Sequence, residues 1–103
     1  MSIQRGDVWD VDTGKGVRTV LVVSLDGLAD AYGVVVTLVL HAPAAHPDTA
    51  MSVRLTSPID ASVVAVNLLQ LTAARFDAAT VHGNIGPEQL ALVDNALRAV
   101  LDL

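Results

Sequence analysis

The chain contains no cysteine. That excludes disulfides, thiolate nucleophiles and thiolate-held metals, and makes the cytoplasm the expected compartment. Aromatic residues are almost as scarce, with one Trp, one Tyr and one Phe, so the core has to be built from Val, Leu, Ala and Ile. Six basic residues stand against eleven acidic ones, for a net charge of −5. This excludes a broad basic platform for long nucleic-acid backbones, and any phosphate contact has to be short and local. No apolar run approaches the ~20 residues of a membrane span; the longest, Val34 to Leu40, is interrupted by Thr37. Met1-Ser2-Ile3-Gln4-Arg5 has no hydrophobic signal region. There is no Gly-x-Ser-x-Gly and no paired-carboxylate motif, and His41, His46 and His82 are spaced too widely for a local metal site. Neither a metal nor a cofactor is expected.

What the chain does contain is mostly β. A length of 103 residues predicts one domain, residues 1–103. An apolar fraction of 52% is high for so small a surface and points to a buried subunit interface. Val8 to Val11, Val17 to Ser24, Val34 to Leu40, Met51 to Leu55 and Ser62 to Val66 read as strands. The last of these can run on to Leu71 with a bend near Asn67. Asp12-Thr13-Gly14-Lys15-Gly16 is turn chemistry, and Val17 to Ser24 has the continuous β-branched character of a strand buried on both faces. Leu25 to Tyr32 reads as a loop or short helical turn, His41 to Ala50 as a loop, Ala73 to Ala79 as one helical turn, and Val81 to Ile85 as a short strand. Gly86-Pro87-Glu88 opens a helix, with Pro at an early position and an acid in the first turn. Leu90, Val93, Leu97 and Val100 or Leu101 then form one apolar stripe. Strands first and a helix last predict a small, mostly antiparallel barrel-like sheet with appended helices.

With so few charged groups, the chemistry has few bearers. Arg18 opens a strand; its planar fork suits two phosphate oxygens, or it pairs with Asp7 or Asp12 across the hairpin. His41 directly follows the third strand and begins a loop, at the strand end where a proton-exchanging group on a sheet would stand. Lys15 lies at a hairpin tip. Gly14-Lys15-Gly16 is followed by a strand, which argues against a nucleotide-binding phosphate loop. His46 is expected to be solvated and His82 to be a turn residue.

Arg5-Gly6-Asp7-Val8-Trp9, then Val17-Arg18-Thr19-Val20-Leu21-Val22-Val23-Ser24, resembles the opening of the MazF/PemK toxins of bacterial toxin–antitoxin modules. Ile85-Gly86-Pro87-Glu88-Gln89-Leu90 and Val93 to Leu103 resemble their ending. The resemblance implies an SH3-like antiparallel barrel with a C-terminal helix, working as a homodimer. It also implies a metal-independent endoribonuclease that cuts single-stranded RNA by attack of the 2′-hydroxyl, leaving 2′,3′-cyclic phosphate and 5′-hydroxyl ends. The partner it implies is a MazE-like antitoxin. The family's catalytic arginine matches Arg18. Its threonine after the third strand falls on His41, which becomes the candidate general base or acid, while Thr37 lies inside the strand. Thr19 stands where the family has proline. Lys15, Gly16, Thr19 and Arg54 are the candidate RNA contacts. Two other readings are a binding protein on a related fold, inactive as a nuclease or directed at gyrase in the manner of CcdB, and a plain dimeric interaction module. The ending Leu101-Asp102-Leu103 lacks the Trp-Gly-Ile of the gyrase poison.

Overall fold

A computed structural model describes residues 2–43 and 51–103; His46 lies outside the described residues. Strands β1 (Asp7–Asp12) and β2 (Val17–Val22) form a hairpin, and α1 (Leu28–Tyr32) leads into β3 (Val34–His41). Strands β4 (Ser52–Leu55) and β5 (Ala61–Thr72) form a second hairpin. A 3₁₀ turn (Ala73–Ala78), β6 (Thr80–Asn84) and α2 (Gly86–Leu101) complete the chain. Every pairing is antiparallel, in the order β4-β5-β3-β2-β1-β6. The sheet curls into a half-barrel with β4 and β6 as its edges.

Because successive strand residues point to opposite faces, the curled sheet has two apolar sides, each with its own cluster. Val8, Leu21, Leu38, Leu40, Leu55 and Val63 pack with Val93 of α2 on one side. Trp9, Val11, Val20, Val22, Val35 and Leu71 pack with Phe76 of the 3₁₀ turn on the other. The scarce aromatics are concentrated there, Trp9 and Phe76 meeting at right angles with centroids 5.5 Å apart. The predicted stripe of α2 therefore packs on the sheet, against β4 and β5. Leu90, Val93 and Leu97 are in it; Ala96 is buried as well, and Leu101 at the frayed end is 50% exposed. Gln89 ties the start of α2 to the turn after β4: its Oε1 accepts from Thr56 N at 2.9 Å and its Nε2 donates to Ser57 O at 2.8 Å.

Two expectations need correction, and both corrections shape the site. The run Val17 to Ser24 is not buried on both faces along its length, since Val17 is 68% exposed. The cause is pairing: β3 reaches β2 only from Val20, opposite Val39, so Val17, Arg18 and Thr19 are paired to β1 alone and the hairpin tip overhangs the sheet. The strand expected to begin at Met51 begins at Ser52, with Met51 in the turn before it.

Candidate nucleic-acid cleavage site

The overhang creates the site. Carried two residues past its end, the β2–β3 register sets Arg18 opposite His41, on the same face as Val20 and Val39. With no ladder joining them, the two side chains flank an open cleft instead. The cleft measures about 480 Å³ and is lined by Thr13, Lys15, Arg18, Val39, His41, Asn67, Leu68 and Leu69.

The tip carrying Lys15 is held in shape by its own polar groups. Asp12 Oδ1 accepts from Gly14 N at 2.9 Å, and Thr13 closes the turn on Gly16 O through both its amide, at 3.0 Å, and its hydroxyl, at 2.9 Å. Gly14 has φ of +89°, which favours glycine, and a Cβ there would meet the Arg75 head group, Nη2 at 3.0 Å, and press it aside. Arg75 itself donates to Asp12 O at 3.1 Å and braces the hairpin from the 3₁₀ turn.

The cations divide sharply. Arg5 pairs with Asp94, Arg54 with Asp60, Arg75 donates to a backbone carbonyl and Arg98 to Asn95. Among the described residues only Lys15 and Arg18 have side chains with no hydrogen bond or ion pair, and both line this cleft. The proposed alternative for Arg18, pairing with Asp7 or Asp12, does not occur. Asp7 accepts from Gln4 N at 2.9 Å and Asn84 Nδ2 at 3.0 Å, while Asp12 is engaged by Gly14.

His41 is half-buried at the end of β3. Asn67 Nδ2 lies 2.7 Å from its Nε2. An amide nitrogen only donates, so Nε2 accepts, and the neutral ring carries its proton on Nδ1. Asn67 reaches His41 through an irregularity in β5: Leu38 pairs with Leu68 and Leu40 with Val63, so residues 64–67 oppose the single residue Val39. This is the bend expected near Asn67. Its consequence for the site could not be foreseen, because nothing in Val64-Ala65-Val66-Asn67 says which strand slips or by how much.

The other candidates lie elsewhere. Thr19 points to the opposite face, where its hydroxyl donates to Asp10 Oδ1 at 2.7 Å, and His82 Nε2 lies 3.0 Å from the same oxygen. The Thr19 hydrogen bond holds the Asp10 carboxyl below its ordinary range; partial burial opposes this and His82 adds to it. His82 is thus a strand residue tying β6 to β1, where a turn residue was expected. Arg54 follows Ser62 and His41 in cross-strand register but clasps Asp60 through two bonds of 2.7 and 2.9 Å and borders a different depression, beside Leu92 and Asn95 of α2. Gly16 is exposed in the tip and its carbonyl serves the turn. Thr37 is fully buried, its hydroxyl donating to Leu69 O at 2.8 Å. No group of three or more His, Cys, Asp or Glu side chains suited to a metal occurs among the described residues, and none of their helices is long and apolar enough to cross a membrane.

No protein-family model matches the chain, and no curated protein sequence matches it significantly. Solved structures do. An endoribonuclease from a mycobacterial species, in complex with its cognate antitoxin, superposes with a TM-score of 0.87 at 23% identity, covering 99% of this chain and 97% of its own. MazF of Deinococcus radiodurans, in a MazE–MazF crystal, gives 0.83 at 17% identity over 100% and 98%. The Mycobacterium tuberculosis toxin MazF-mt6 gives 0.72 at 15% identity over 94% and 97%. Identities this low speak for architecture, and on architecture the agreement is end to end: this chain has the MazF fold.

Proposed function

We propose that the protein is a toxin of a toxin–antitoxin pair, a sequence-specific endoribonuclease acting on single-stranded RNA without a metal. The observation behind this is that the two cations lacking partners among the described residues share one cleft with a histidine that offers a lone pair. An unpaired Arg and Lys on an acidic protein form a small, isolated anion site. It suits one phosphodiester rather than a long backbone.

Arg18 grips the scissile phosphate and stabilises the charge that builds on its oxygens as phosphorus becomes five-coordinate. His41 accepts the proton of the 2′-hydroxyl. O2′ bonds to phosphorus, the P–O5′ bond breaks, and the departing 5′-oxygen takes a proton from solvent, leaving a 2′,3′-cyclic phosphate and a 5′-hydroxyl. Lys15, on the rigid tip, contacts a neighbouring phosphate. The open cleft admits a strand whose nucleotides are free to splay, which duplex RNA does not offer. The antitoxin is a MazE-like chain whose extended segment covers the cleft. The exposed Leu92 and Leu101 of α2, at 54% and 50%, and Leu103 just beyond it, at 85%, supply apolar surface for a homodimer.

The test is digestion of a long single-stranded RNA in EDTA by wild type and Arg18→Ala, with analysis of product ends. Discrete cuts with cyclic-phosphate ends, absent from the variant, are expected. An intact RNA with wild-type protein would transfer the cleft to a binding role, on gyrase or another partner.

A further inference from the structure

We propose that Asn67 is the positioning residue of the site: its amide N–H, donated to His41 Nε2, keeps the imidazole proton on Nδ1 and the lone pair on Nε2, ready for an incoming hydroxyl. The inference rests on the ribonuclease reading above for its catalytic meaning, but not for its physics.

A neutral histidine can place its one proton on either ring nitrogen, and a neighbour decides which. Asn67 is within 2.7 Å of Nε2 and is itself half-buried on β5. Its side chain is at this point only because residues 64–67 oppose the single residue Val39; in either regular register of the β3–β5 ladder another residue would face His41. The surroundings reinforce the neutral ring. Lys15 from the hairpin tip and Arg18 from β2 share its cleft, Ser62 faces it from β5, and Arg54 stands beyond Ser62 on β4, already neutralised by Asp60. Among the described residues, the unpartnered charges that share the cleft with His41 are positive and disfavour an imidazolium. The attacking 2′-hydroxyl replaces the Asn67 N–H at Nε2 and delivers its proton there. Asn67 then turns its amide so that Oδ1 accepts from the new Nε2–H. A carboxamide can serve both states because it carries a donor and an acceptor on one rotor; alanine serves neither, and aspartate only the second.

The experiment is ¹⁵N NMR of the His41 ring in full-length wild type, Asn67→Ala and Asn67→Asp, titrated without RNA, beside the pH–rate profile of RNA cleavage. Expected in wild type is an Nδ1–H tautomer; in Asn67→Ala, movement toward the Nε2–H form and a loss of ~10²-fold in cleavage; in the isosteric Asn67→Asp, a ring pKa raised by about 1 unit or more, with the acidic limb of the rate profile moved to higher pH by the same amount. A wild-type ring already in the Nε2–H form, or ring signals unchanged in Asn67→Ala, would overturn the assignment. Altered ring signals in a protein that cleaves no RNA would overturn the ribonuclease reading instead, and leave the pairing of Asn67 with His41 standing.

Discussion

The base and the tip of the β1–β2 hairpin treat an arginine in opposite ways. At the base, just before β1, Arg5 donates through Nε to Val23 O at 3.0 Å and through its guanidinium to Asp94 on α2. It fastens the hairpin to the helix, with less than a third of its side chain exposed. At the tip, Arg18 is exposed and has no side-chain partner among the described residues. Both side chains have the same fork of donors, but one is spent on the fold and the other is left for something outside it. The difference follows from pairing: at the base, β2 is flanked by β1 and β3, and Asp94 of α2 is within reach of Arg5, whereas at the tip β3 has already parted from β2. An arginine left without a counterion is not explained by stability, and this is why the tip is read as the working end.

The comparison breaks most visibly at Arg18. Arg18→Ala should lower RNA cleavage by about 10²–10³-fold with a melting curve superimposable on wild type; a shifted melt would mean the tip arginine is structural after all. Arg5→Ala should do the reverse, lowering unfolding free energy by about 1.5–3 kcal/mol while cleavage per folded molecule stays constant, since Asp94 is left without its partner. Chemical denaturation and active-site titration separate the two effects. Arg54→Ala sharpens the contrast from the paired side: its bond to Asp60 is exposed on both partners, so the denaturation midpoint should barely move. A cleavage loss as large as that of Arg18→Ala would bring Arg54 into the site.

The smallest effect is expected on the other face of the hairpin. Asp10 has its folded pKa depressed, chiefly by Thr19. A depressed carboxylate contributes stability above its unfolded pKa, about 3.9, and loses it as pH falls through the folded value. Thr19→Val should therefore be slightly less stable than wild type at pH 7 and indistinguishable from it near pH 2. Denaturation midpoints at the two pH values check this, and a gap that persists in acid would assign the effect to packing.

Much of this molecule is written locally. The β-branched runs, the Asp-Thr-Gly-Lys-Gly turn, the apolar stripe of α2 and its Gly-Pro-Glu start are short-range patterns, and each became the element it predicted, because propensity, turn chemistry and periodicity act over a few residues. Arg18 and His41 could be named as candidates for the same reason: each marks a strand end. The sequence alone also settled that only a handful of side chains were available for chemistry. Which of them meet was decided by tertiary structure. Lys15, Arg18 and His41 share a cleft because β3 ends its ladder with β2 at Val20, while Thr19, one residue on, faces the opposite side by the two-residue period of a strand. Asn67 joins them because β5 slips against β3, and His82 became a strand tie through a similar irregularity between β6 and β1. Registers of this kind are fixed by the summed packing of two apolar clusters over residues far apart in the chain, so no local stretch of sequence could have announced them.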